Sequence, residues 1–171
     1  MATAAKPIWT PTLEQSEGSR LAAFLERLEV DSLDEAAARA RQAPEEFWAV
    51  VADHIGVAWS RRFDRAMDTS DGLPWTRFWV GGRLNLAYNA VHRWNERQPD
   101  RVALVWEGDD GGTRELTYAE LATETARAAA ALQALGIAAG DAVGLCLPML
   151  PETVTLFLAC AQLGAIVVPL V

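Results

Sequence analysis

Apolar residues recur at helical spacing through the first half of the chain and then give way to short, nearly continuous apolar runs. Leu21, Phe24, Leu25 and Leu28 share one face of a 3.6-residue period, which predicts an amphipathic helix over Leu13–Leu28. A second helix through Ala36–Ala40 has Asp31 or Ser32 as its cap. A third opens at Pro44, whose fixed φ and missing N–H suit a first helical turn. Phe47, Trp48, Val51 and Ile55 mark its buried face and Gly56 its end. Between about residue 60 and residue 82 no period is sustained, and no strand is expected before Trp94. Asp71-Gly72 and Pro74 bring turn chemistry there, and Phe63, Trp75, Phe78 and Trp79 would anchor the stretch as an ordered strap. Asn85 can cap a helix carrying Leu86, Ala90, Val91 and Trp94.

After Pro99 the pattern changes. Arg101–Glu107 reads as a strand, 108–112 as a glycine-rich turn, and Arg114–Leu116 as the return strand of a hairpin. Thr117 and Glu120 form a capping box at the start of an alanine-rich helix that runs to Gly136. Asp141–Leu147 is a near-continuous apolar strand, as in a parallel sheet covered on both faces. Pro148 and Pro151 open a helix that Gly164 stops, and Ala165–Val171 is a second apolar strand. The expected fold class is α/β: a helical N-terminal region over residues 1–95, then a β-hairpin and the first βαβ unit of a larger, partly parallel sheet over 96–171. One crossover helix cannot cover both faces of such a sheet, so the pattern predicts the front part of a longer protein. The alternative is a small domain shielded by its own N-terminal helices.

Composition narrows the function classes. A net charge of −8 over 171 residues argues against a nucleic-acid partner, which would call for a basic face. No apolar run approaches the length of a membrane span, and Met1–Pro11 lacks the apolar core of a secretory signal. Cys146 and Cys160 stand in apolar runs with neither disulfide nor zinc spacing, which favours a reduced, cytoplasmic compartment.

Candidate chemistry is sparse. Gly108 to Gly112 is rich in glycine but sits between two strands and opens no helix, so it reads as a turn and not as a phosphate cradle. His54 and His92 lack a second ligand at helical spacing; His54 instead suits the negative end of a helix. Asp109 and Asp110 read as solvent-facing turn residues, and Trp48, Trp59, Trp75, Trp79 and Trp94 as packing groups. No dinucleotide fingerprint follows either candidate first strand, which counts against an oxidoreductase. No catalytic, cofactor-binding or metal residue is assigned.

Several motifs, in order, resemble the AMP-forming acetyl-CoA synthetases and related acyl-CoA synthetases of the adenylate-forming superfamily. Pro44-Glu45-Glu46-Phe47-Trp48 is similar to their "P-x-x-FW", and the run from Trp79 to Asn89 to their "WF-x-GG-x-LN-x-x-x-N". Trp106 to Asp110 resembles "WEGDD", and Leu116 to Leu121 the "LTY-x-EL" that opens the first core motif. Gly140-Asp141, Pro148 to Glu152, and Ala159 to Ile166 resemble "GD-x-V", "PM-x-PE" and the "ACA-x-x-GAI" of the second core motif. The resemblance implies an enzyme that couples a carboxylic acid to ATP, with magnesium, and passes the acyl group from the adenylate to coenzyme A. It also implies that the phosphate loop, the acyl pocket and the catalytic lysine lie further along than this chain. Lys6, its sole lysine, is not that residue. The fragment is therefore expected to bind none of these substrates by itself and to be inactive. Val167 to Leu170 replaces "HSVVF", Asn89 to Trp94 replaces "N-x-x-DRH", and Arg41 to Pro44 departs from a "DP", which leaves open which acid is used. Oligomeric state is not legible. A second reading is a non-catalytic interaction module derived from a synthetase front half, binding through its uncovered apolar face.

Overall fold

The computed structural model describes residues 8–170, so Lys6 and the final Val171 of the expected last strand lie outside the described residues. The chain divides into two compact units, residues 1–57 with 62–82, and residues 58–61 with 83–171.

In the first unit the expected Leu13–Leu28 helix is broken into α1 (Leu13–Glu17) and α2 (Arg20–Leu28). The cause is local. Ser19 takes an extended conformation and its hydroxyl accepts from the Ala22 N–H, so Ser19 starts a new helix as its N-cap. α3 (Leu33–Gln42) is capped by Ser32, settling that choice over Asp31. α4 (Pro44–His54) begins at its proline as expected. Its inward face differs from the expected one: Ala52 is buried, whereas Trp48 and Ile55 are 40% and 51% exposed. Phe24 of α2 packs edge-to-face on Phe47, with ring centroids 5.8 Å apart.

The strap expected over 60–82 is a hairpin, β1 (Arg65–Asp68) with β2 (Arg77–Val80), paired with Met67 opposite Phe78. Asp68 faces Arg77 across the ladder and accepts its guanidinium at 2.6 Å. Charged strand ends of this kind give no apolar alternation, which hid both strands from the pattern. Phe63 and Trp79 do pack together, at 5.2 Å. Trp75 and Phe78 are 71% and 52% exposed and anchor nothing within the described residues.

The second unit opens with a helix over 86–95 whose centre, Tyr88–His92, is π-helical and whose last turn is α5 (Arg93–Asn95). Asn85 caps it as expected, accepting from the Tyr88 N–H, while its amide donates to the carbonyls of Ala161 and Gln162. Asn89, one turn on, donates to the Ala58 carbonyl and accepts from the Ala58 N–H. The two asparagines thus satisfy backbone groups that no ladder reaches.

β3 (Val102–Glu107) and β4 (Thr113–Thr117) pair antiparallel, and Thr117 with Glu120 forms both halves of the capping box of α6 (Tyr118–Ala134). β5 (Ala142–Leu145), α7 (Pro151–Leu163) and β6 (Ile166–Pro169) are the βαβ unit, its two strands parallel. Pro151, not Pro148, is the first residue of α7. The core joins Val91, Leu121, Ala122 and Leu158, with Ala103, Leu116 and Val154 packed against it. Burying Val91, Leu121 and Leu158 stabilises by about 1.5–3 kcal/mol each. β5 and β6 are covered on one side by α7, while Ile166, Val168 and Leu170 remain 56%, 41% and 52% exposed, so the expected two-faced burial is half present within this chain.

Candidate functional site

The carboxyl ends of parallel strands are where open α/β sheets bind ligands, because the loops leaving them diverge and helix N-termini point there. Here that edge is the mouth between β5 and β6. A cleft of about 560 Å³ opens there, lined by Leu145, Leu147, Met149, Phe157, Val167 and Leu170 among others. Its walls are apolar, and Met149 is 81% exposed. Cys146, the first residue past β5, is exposed, while Cys160 is buried inside α7. Burial pushes the Cys160 thiol above its ordinary range, so it stays protonated and inert.

The cleft has no general base or nucleophile pair. Thr153 donates its hydroxyl to the Pro148 carbonyl at 2.6 Å, which occupies the nearest hydroxyl. What these walls can do is hold an apolar portion of a ligand and exclude water. A second cleft, of about 610 Å³ in the first unit, is rimmed by Glu45, Glu46, Asp64 and Arg65. Arg65 lies 3.6 Å from Glu45 and 3.3 Å from Asp68, so its charge is already shared.

The 108–112 segment is a hairpin turn in which Asp110 accepts from the Gly112 N–H at 3.0 Å, while Asp109 is exposed. His54 closes α4 and lies against Phe24, with ring centroids 5.1 Å apart. His92 Nε2 is 2.8 Å from Gln162 Oε1, a bridge between two helices that sequence separation concealed. Among the described residues, no group of three or more His, Cys, Asp or Glu is placed to hold a metal ion. No helix among them is long and apolar enough to cross a membrane.

Comparison with known proteins adds what the geometry alone leaves open. Residues 33–90 match the acetyl-coenzyme A synthetase N-terminus family, and residues 91–171 match the AMP-binding enzyme family. The chain corresponds to the N-terminal portion of an adenylate-forming acyl-CoA synthetase. The acetyl-coenzyme A synthetase of Deinococcus radiodurans is 40% identical over 158 residues, covering 91% of this chain and 22% of that protein. That of Mycobacterium tuberculosis is 46% identical over 129 residues, covering 72% of this chain and 19% of its own length. The chain thus spans about a fifth of the curated relatives it matches. In three dimensions it is similar to the acetoacetyl-CoA synthetase from Streptomyces lividans, with a TM-score of 0.84 and 27% identity. That match covers 97% of this chain and 26% of the other. The mixed α/β architecture is shared with this structural neighbour, which like the sequence relatives is an acyl-CoA synthetase by name.

Proposed function

We propose that this chain is the opening section of an AMP-forming acid–CoA ligase. In that reading the longer protein activates a carboxylic acid with magnesium-bound ATP, releasing pyrophosphate. It then transfers the acyl group from the adenylate to coenzyme A, releasing AMP. The observation that carries the reading is the succession of the two family matches along residues 33–171, in the order the synthetases use. Their meeting at residues 90 and 91 also supports a division into an N-terminal region, 1–95, and the start of an AMP-binding domain, 96–171. We place the enzyme in the cytoplasm on its cysteine usage.

The 108–112 segment does not fit the phosphates or the magnesium ion. The 108–112 backbone closes a hairpin through the Gly108 and Gly112 pair and opens no helix, and the acids near it do not converge. What the chain supplies is the core that supports the βαβ unit and the apolar wall at its carboxyl edge.

ATP–pyrophosphate exchange tests the reading. Carried out with a series of short and medium carboxylates, it should appear with the full reading frame and be absent with residues 1–171 alone. Exchange by the 171-residue chain would overturn the assignment of chemistry to later segments. Its absence from the full frame with every acid would overturn the ligase reading.

A further inference from the structure

Trp106 and Arg114 stand opposite each other in the β3–β4 ladder, and directly opposed residues project from the same face of a sheet. Trp106 reaches the segment joining β5 to α7, and Arg114 reaches the first turn of α7. The Trp106 indole N–H donates to the Met149 carbonyl at 2.6 Å. Arg114 Nη1 donates to Glu152 Oε1 at 2.8 Å, and Glu152 is the second residue of α7. Gly108 leaves the room that the indole occupies, since a Cβ at that position would lie 2.7 Å from the Trp106 ring. The segment has few ties of its own. Leu150 bonds back to Pro148, Thr153 bonds to Pro148 and Leu150, and α7 starts without a side-chain cap.

We propose that the β3–β4 hairpin is a two-point clamp, with Trp106 and Arg114 as positioning residues that fix the 146–150 loop at the mouth of the apolar cleft. The indole sets the height of the Met149 backbone, and with it the Leu147 and Met149 walls. The ion pair sets the first turn of α7, the helix that carries Phe157 in the cleft wall further along. Resting on the ligase reading, the clamp acts on binding of the substrate whose apolar portion enters the cleft, and not on the chemical step.

Hydrogen exchange on this chain reads the clamp directly. Trp106→Phe keeps an aromatic ring and removes the N–H, so the hydrogen-bonded Leu150 and Thr153 amides should exchange about fivefold faster, with α6 unchanged. Gly108→Ala displaces the indole and should act in the same direction. Arg114→Glu should loosen Glu152 and Thr153, and adding Glu152→Arg should restore protection, which a merely structural loss would not. Unchanged exchange in both Trp106→Phe and Gly108→Ala overturns the clamp, as does acceleration spread equally through α6 and α7. In the full-length enzyme, Trp106→Phe should raise KM for either the acid or coenzyme A at least threefold while kcat stays within about twofold. A fall in kcat with both KM values unchanged overturns the positioning role. A full-length protein without ligase activity overturns the functional reading and leaves the clamp to stand or fall on the exchange data.

Discussion

The Thr125 hydroxyl is fully enclosed on α6 and has no hydrogen-bond partner among the described residues. An unpaired buried hydroxyl costs about 1–3 kcal/mol, and valine has nearly the same shape without the polar atom. Thr125→Val should therefore stabilise the chain by about 1 kcal/mol, seen as a higher urea midpoint with an unchanged slope. Asp68 shows the opposite case, a buried acid with its partners in place. It accepts from the Ser70 N–H at 3.1 Å and from Arg77 at 2.6 Å, with Arg65 at 3.3 Å. The bond from Ser70 and then the two guanidinium charges hold its carboxyl below the ordinary carboxylate range. A lowered native pKa gives stability that is present above the unfolded value of about 4 and is lost as pH falls through the native one. Asp68→Asn should thus be less stable than the parent at neutral pH, and the gap should close as acid titration passes below about pH 4. Equal gaps at pH 7 and pH 3 would exclude the mechanism. Neither residue announces itself in the sequence. Asp68 and Arg77 are nine positions apart and meet once a hairpin closes; Thr125 is one threonine in an alanine-rich helix whose facing side is set by packing.

Helix starts and stops were the most readable elements, because their signals are local. The Thr117 and Glu120 capping box, Pro44 at the head of α4 and Gly164 after α7 each follow from a few adjacent residues. Gly164 holds φ at 77°, and a Cβ added there would sit 3.3 Å from the Ala139 Cβ. Gly164→Ala should cost at least about 1–2 kcal/mol from the left-handed backbone alone, read from the urea midpoint, whereas Gly18→Ala, with negative φ, should cost less. The local signals failed where two of them competed or where pairing was remote. Ser19 caps a helix inside a stretch whose apolar spacing favoured continuity, and its side-chain bond won. β1 and β2 carry charges at their ends that are satisfied across the ladder, so no alternation of apolar residues marks them. The π-helical turn at Tyr88–His92 likewise has no local code. It accompanies the bonds of Asn89 to Ala58 and of His92 to Gln162, far along the chain.

At the scale of the whole molecule, the two family matches and the 0.84 TM-score agree with an order of motifs that the residues alone display. That order survives without coordinates because each motif is a short local solution: a cap, a turn, an apolar strand between glycines. The sequence by itself therefore determined the class, the family resemblance and the element order of residues 85–170. Tertiary structure decided what depends on distant partners. It closed the β1–β2 hairpin and turned the inner face of α4 away from Trp48 and Ile55. It also brought Asn85 and His92 to the end of α7, and set Trp106 and Arg114 on one face of a hairpin to grip the loop after β5. The reason is physical. Hydrogen bonds within a turn are selected by the residues beside them, whereas a bond across 43 positions, such as Trp106 to Met149, is selected by the packing that brings its ends together.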